Sequence, residues 1–271
     1  MKGFLKNGWG IFILGFAISI EGAEFFSRSP SANQPSAPLL LVLGGVGSSG
    51  GNIVRDNADW ARFADENKLW LLSATFAYPK NVLDRKQCYY YPESGSMEWL
   101  AGEIDRLAKR NGLREKRLLM SGVSGGAHFV HRFALWNPDR VTALAAYSAA
   151  WWDEPASAIK KIPMLIMCGE EDERYEPSIM FYRKASLMGC PVLWRSFSNL
   201  GHEMDQRVIR LAQTFLKEFV RERKSTQPWV GDIQEWKAYP KDHPEARRIP
   251  LEYRVAIPSE TVAKVWEHAD E

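Results

Sequence analysis

Gly122-Val123-Ser124-Gly125-Gly126 follows the strand-like run Arg117-Leu118-Leu119-Met120 and leads into Ala127-His128-Phe129-Val130-His131-Arg132-Phe133-Ala134-Leu135, a stretch of helical character. A serine held on a very sharp strand-to-helix turn needs small residues two places before and two places after it. A side chain at either place would strike the neighbouring strand or helix, and Gly122 and Gly126 meet that need. The hydroxyl of Ser124 is then expected to stand exposed at the C-terminal edge of a sheet. With 20 Gly in the chain, Gly-x-Ser-x-Gly alone arises readily by chance. The strand before it and the helix after it give this one meaning.

Downstream, the buried-strand run Ile162-Pro163-Met164-Leu165-Ile166-Met167-Cys168 ends in Gly169-Glu170-Glu171-Asp172. A further strand, Pro191-Val192-Leu193-Trp194-Arg195-Ser196-Phe197, precedes a loop carrying Gly201-His202-Glu203. Serine, acid and histidine thus follow in that order, each just past the C-terminal end of a strand, where open parallel sheets bind their ligands.

In this order and context the sequence resembles the α/β-hydrolase superfamily. Within it, the resemblance is to single-domain serine esterases that include feruloyl, acetyl-xylan and polyhydroxyalkanoate-depolymerase-like enzymes, and it runs from about Pro38 to Arg223. It implies an α/β-hydrolase fold with a doubly wound, mainly parallel sheet of about six strands and no large lid domain. It also implies carboxylic ester hydrolysis through a Ser-His-Asp triad and an acyl-enzyme. Ser124 is the expected nucleophile and His202 the base that takes its proton. The family's Gly-x-x-Asp pattern makes Asp172 the residue that orients the imidazole. Glu170 and Glu171 are adjacent rivals, and Asp153, after the preceding strand Val141 to Ser148, is another. Backbone N–H groups are needed where negative charge develops on the carbonyl oxygen. Gly125, directly after the nucleophile, is one expected donor. Val46 is the other by position, in Gly44-Gly45-Val46-Gly47-Ser48-Ser49-Gly50-Gly51 after the first long strand. The family usually has His-Gly-x at that place, and here Gly44 stands where the His is expected. No Lys-Ser or Lys-Thr follows this glycine-rich run, so it matches no phosphate loop.

Of five histidines, His202 alone sits in a Gly-preceded loop after a strand. His128 and His131 read as packing or surface residues of the helix after the elbow, and no metal-ligand spacing is present. No metal and no cofactor is expected. Lys plus Arg number 35 against 33 Asp plus Glu, net charge +2, with no basic stripe for nucleic acid. At 271 residues, 45% hydrophobic, the chain buries a sizeable core.

Lys2 and Lys6, the apolar stretch Trp9 to Ile20 and Glu21-Gly22-Ala23 fit an export signal better than a membrane span. The expected organisation is a signal peptide over 1–23, a linker over 24–37, the hydrolase domain over 38–223 and an appendage packing on it over 224–271. A periplasmic or extracellular location follows, with no stable span after cleavage. The short N-terminal segment predicts that the antiparallel hairpin of larger relatives is absent. Cys168 and Cys190 fall at opposite ends of neighbouring parallel strands, too far apart to bridge, so three free thiols are expected.

Strands are predicted at about 38–43, 69–76, 117–121, 141–148, 162–168 and 191–197, with helices near 57–67, 97–111, 126–136, 177–188 and 204–223. Pro258-Ser259 reads as the cap of a last helix through Trp266. Ser148 to Ile162 leaves no room for a helical lid, so the serine is expected to be open to large substrates. Tyr90 within Tyr89-Tyr90-Tyr91, and Trp151-Trp152, are candidate substrate-binding rings for a small-molecule or polysaccharide-linked ester. The alternative is that they pack loops onto the sheet. Two other functional readings stand beside the esterase: a binding protein of the same fold with little turnover, and a serine peptidase.

Overall fold

The computed structural model describes residues 21–31, 35–78, 84–221 and 228–271. Strand β1 (Glu24–Arg28) is followed by β2 (Leu39–Leu43), α1 (Gly50–Arg55), α2 (Ala58–Asn67), β3 (Trp70–Thr75), α3 (Ser96–Asn111) and β4 (Leu118–Val123). Then come α4 (Gly125–Trp136), β5 (Val141–Tyr147), β6 (Met164–Gly169), α5 (Tyr175–Leu187), β7 (Val192–Phe197) and α6 (Gln206–Lys217). The chain ends with β8 (Trp229–Asp232), β9 (Lys237–Pro240), α7 (Pro244–Arg248), β10 (Arg254–Ile257) and α8 (Glu260–Glu267).

Seven strands form one sheet in the order β1-β3-β2-β4-β5-β6-β7, parallel from β3 to β7. The central strands are apolar along their length because helices cover both faces; every residue of Leu39–Leu43 is buried. Beside β2 lie β3, which follows it in the chain, and β4, reached by way of α3. The winding therefore reverses at β2, and such a switch opens a crevice beyond the C-terminal strand ends. Register Leu43↔Gly122 sets the Gly44–Ser48 turn directly beside the elbow.

The linker expected over residues 24–37 needs correction at its start. Residues Glu24 to Arg28 form an edge strand paired antiparallel to β3, Phe25↔Ala74 and Ser27↔Leu72 among its partners. The Ser- and Pro-rich composition that suggested a linker begins only at Ser27. Five residues suffice to cap an open sheet edge, where a short strand leaves little backbone unpaired. The predicted signal lies mainly in residues 1–20, outside the described residues. No helix among the described residues is long and apolar enough to cross a membrane.

Helix α6 stops at Lys217, short of the predicted 223. Beyond it, β8, β9 and β10 form an antiparallel sheet in the order β10-β8-β9. Ser259 caps α8 as its sequence suggests, accepting from Val262 N–H at 3.2 Å. The appendage is fastened to β7 from inside: Trp266 Nε1–H donates to the Trp194 carbonyl at 2.7 Å, and Arg195 pairs with Asp270 at 2.9 Å. Cys88, Cys168 and Cys190 are buried and unpaired.

Candidate active site

Ser124 joins β4 to α4 at φ 53°, ψ −114°, a left-handed conformation that an L-residue tolerates only when its surroundings hold it there. A Cβ on Gly122 would run into the Gly126 carbonyl and come within 2.8 Å of Ala127 N, and one on Gly126 would press on the Leu43 and Gly44 carbonyls. Both glycines are thus required by close approach. Ser124 N–H donates to the Tyr147 carbonyl at 2.9 Å, tying the elbow to β5. The serine side chain caps no helical N–H, which leaves its hydroxyl free for another partner.

That partner is His202. Its Nε2 lies 3.0 Å from Ser124 Oγ, and its Nδ1 lies 2.7 Å from Asp172 Oδ2. With the Nδ1 proton donated to the carboxylate, Nε2 is left as an acceptor for the serine proton. The Asp172 side chain is wholly buried. Burial works to raise its pKa, but hydrogen bonding from His202, the Ser148 hydroxyl and the Arg174 backbone and side chain outweighs it, so the carboxyl sits below its ordinary value. Arg174 N–H and Nη1 hold the second oxygen, Oδ1, at 3.0 and 3.1 Å. The His202 loop is fixed from below, with the Tyr147 hydroxyl 3.0 Å from both the Gly201 and Glu203 carbonyls.

The rival acids are engaged elsewhere. Asp153 accepts from Arg132 Nε and Nη2 at 2.9 to 3.0 Å, and Glu170 accepts from the Ser196 hydroxyl at 2.7 Å. Glu171 is exposed.

Val46 and Gly125 are neighbours at the serine. A Cβ built on Gly125 would stand 3.2 Å from Val46 N, and one on Gly45 would stand 3.8 Å from Ser124 Oγ. Gly125 is the first residue of α4, where an N–H has no intrahelical acceptor. Val46 N, Gly125 and the N-terminal end of α4 thus lie close together next to Ser124.

The aromatic residues behave differently from the expectation for Tyr90. This ring is 2% exposed, wedged among Tyr89, Tyr91, His128 and Trp151, and so offers no free face for stacking. It packs the loop after β3 against α4. Trp151 is 40% exposed, yet His128 stacks on it at 5.2 Å and the Arg85 guanidinium lies over it at 4.2 Å. Trp152 stacks on Phe181 at 4.3 Å and meets His131 at 4.9 Å. Both tryptophans nevertheless line an open cleft of about 300 Å³ with Pro155, Met180 and Lys184. His128 and His131 are buried packing residues of α4. They receive N–H groups of the Ala150–Asp153 loop, Ala150 N–H to His128 Nε2 at 3.3 Å and Asp153 N–H to His131 Nε2 at 3.0 Å.

Arg174, Tyr147 and Ser148 are the supporting residues that sequence reasoning missed. Arg174, two places after Asp172, is the one with a local signal, since a side-chain oxygen commonly accepts from the N–H two residues on. Tyr147 and Ser148 gave none, because their partners lie 20 or more positions away. Among the described residues no group of three or more His, Cys, Asp or Glu is arranged to hold a metal ion.

No protein-family model matches the chain. Over 152 residues, 56% of its length, the chain is 23% identical to a bifunctional acetylxylan esterase/xylanase of Neocallimastix patriciarum, of which the match spans 22%. Among solved structures, it is similar to poly(aspartic acid) hydrolase-1 of a Sphingomonas species at TM-score 0.58 and 17% identity, over 73% of this chain and 94% of that one. It is also similar to a poly(3-hydroxybutyrate) depolymerase of Bordetella parapertussis, at TM-score 0.53 and 18% identity, covering 72% and 82%. The chain has the α/β-hydrolase fold.

Proposed function

We propose that this protein is an exported serine hydrolase that cleaves carboxylic esters through an acyl-enzyme. The observation that carries the reading is the unbroken hydrogen-bonded chain from Ser124 Oγ through His202 to the buried Asp172. In the proposed reaction Ser124 Oγ bonds to the ester carbonyl carbon while its proton passes to His202 Nε2. The carbonyl oxygen becomes an oxyanion facing the Val46 and Gly125 N–H groups. Collapse breaks the bond to the leaving oxygen, which takes the proton from His202. Water, deprotonated by the same imidazole, then attacks the acyl carbon; the acyl carbon–Oγ bond breaks, Ser124 Oγ takes the proton back from His202, and the carboxylic acid leaves. Asp172 keeps its charge throughout, holding the tautomer and offsetting the imidazolium.

Small or accessible esters are the proposed substrates, polysaccharide-linked ones included. The stretch between β5 and β6 carries one 3-10 turn, Ser157–Lys161, and no lid. The distant acetylxylan esterase supports the same choice.

The test is a fluorophosphonate probe together with p-nitrophenyl esters of increasing acyl length, run on the wild type and Ser124→Ala. Labelling and turnover are expected in the wild type only, with kcat/KM greatest for short acyl chains. Labelling that survives Ser124→Ala refutes the nucleophile. A rise in kcat/KM continuing to long chains refutes the preference for small esters, because each methylene buried in a deep pocket contributes about 0.8 kcal/mol.

A further inference from the structure

Gly125 has no side chain, and the space where one would stand is taken by Tyr89. A Cβ on Gly125 would collide with the Tyr89 hydroxyl before reaching Val46 Cγ2 at 3.0 Å or Val46 N at 3.2 Å. The phenol oxygen therefore sits on the same side of Gly125 as the Val46 N–H. Its placement is rigid. The ring is 7% exposed, stacked on Phe76 at 4.8 Å with planes 7° apart and on Phe129 at 6.5 Å. Its own carbonyl accepts from the buried Ser96 hydroxyl. Tyr89 also lines a cavity of about 10 Å³ beneath the Gly44–Ser48 turn, on the scale of a single water.

The Tyr89 ring is used in packing, yet among the described residues its hydroxyl makes no hydrogen bond to another protein group. The nearby Gly44-Gly45-Val46-Gly47 turn has three glycines and no side chain to brace the Val46 N–H. Burial first, then the neighbouring Tyr78 and Cys88, push the Tyr89 phenol above its ordinary pKa, so it is a proton donor at neutral pH.

We infer that Tyr89 is a catalytic residue whose hydroxyl is a third donor to the oxyanion, beside the Val46 and Gly125 N–H groups. This rests on the reading of Ser124 as nucleophile and adds to it a side-chain donor from the loop after β3. Its partner is the charge that develops on the substrate oxygen, which accounts for the unbonded hydroxyl. A donor that meets its acceptor only in the transition state raises kcat and leaves ground-state binding alone.

Tyr89→Phe removes the oxygen and keeps the ring. The expected result is a fall in kcat of about tenfold or more on a short p-nitrophenyl ester, with KM nearly unchanged. Affinity for a short-chain trifluoromethyl ketone, whose hemiketal with Ser124 bears an oxyanion, should fall by about the same factor as kcat/KM, while the melting temperature holds. A smaller change in kcat, or a loss confined to KM or to melting temperature, overturns the inference and leaves Tyr89 a packing residue. Stability gives a readout independent of turnover. Gly125→Ala should melt well below the wild type because its new methyl meets the hydroxyl, and adding Tyr89→Phe should recover much of the loss. No recovery would show that the hydroxyl is not where the inference needs it. Failure of the underlying reading looks different, since Ser124→Ala would then retain turnover.

Discussion

Asp172 and Asp153 show how two carboxylates on neighbouring strand ends acquire different work. Asp172 is buried, spends one oxygen on His202 and the other on Arg174, and is held ionised by those bonds. Asp153 is half exposed and spends both oxygens on the buried Arg132. Asp172→Asn should therefore fold and lose about 10³- to 10⁴-fold in kcat, because an amide can leave the imidazole in the wrong tautomer. Asp153→Asn should keep kcat within a few-fold and instead lower stability by about 1–3 kcal/mol, the cost of weakening a charged hydrogen bond to a buried guanidinium. Steady-state kinetics and urea denaturation on both variants decide the matter, and a severe catalytic loss in Asp153→Asn alone would exchange the two roles. Serine, acid and histidine were legible in the sequence because each ends a strand in a fixed order. Tyr147 and the placement of the Tyr89 hydroxyl were not, since a side chain's direction depends on packing from elements far away in the chain, whereas Arg174, two residues from Asp172, left a local signal that went unread.

Helix α4 carries the elbow at its first turn and, one and two turns on, the residues that pin the Ala150–Asp153 loop. The neutral His128 ring is fully used: Nδ1–H donates to the Trp151 carbonyl at 3.1 Å, and Nε2 accepts from Ala150 N–H. A second ring proton would face that N–H. Burial first, then the adjacent Arg132, drive the His128 pKa down to about 3, and His131 is lowered by the same causes. Unfolded histidine titrates near 6.5, so between about pH 6.5 and 3 the unfolded chain binds the proton and the folded one does not. Stability is thus complete above this window and declines as pH falls through it, by at most about 1.4 kcal/mol per pH unit for His128. Asp172 adds its own loss only lower, below the ordinary carboxylate range. His128→Gln keeps a neutral donor and acceptor, and its urea midpoint should vary less with pH between 6.5 and 4 than the wild type's; an unchanged slope would refute the buried neutral ring. At this scale periodicity located the helices and buried strands well. It overlooked β1, where five mixed residues show no alternation, and α1, whose Gly50-Gly51 start reads as loop until Ser49 caps it and Gly50 N–H finds Thr75 Oγ1 at 2.9 Å.

The chain's last residues reach the loop that holds His202. Asp270 accepts from Arg195 of β7 through Oδ2 and from Ser198 N–H through Oδ1, both at 2.9 Å. Arg207, paired with Asp205, donates to the Ser198 carbonyl at 3.3 Å. One carboxylate thus closes the exit of β7, four residues before the imidazole. Arg195 is 1% exposed, with its guanidinium 4.0 Å over the Trp236 ring. Burial pulls its pKa down against the opposing pull of Asp270. Nothing in the sequence announced this, because Asp270 lies 75 positions along the chain from Arg195. The arrangement makes the C-terminal segment part of the site's scaffold. Asp270→Ala would strand a buried cation and release Ser198, at a cost of about 2–4 kcal/mol given the partial exposure of the carboxylate. Turnover should also fall several-fold, with KM held, as His202 samples positions away from Ser124. Restoring only the neutral acceptor with Asp270→Asn should recover the Ser198 bond and most of the turnover while stability stays low. Equal activity in wild type and Asp270→Ala would show that the appendage stabilises the sheet without positioning the histidine.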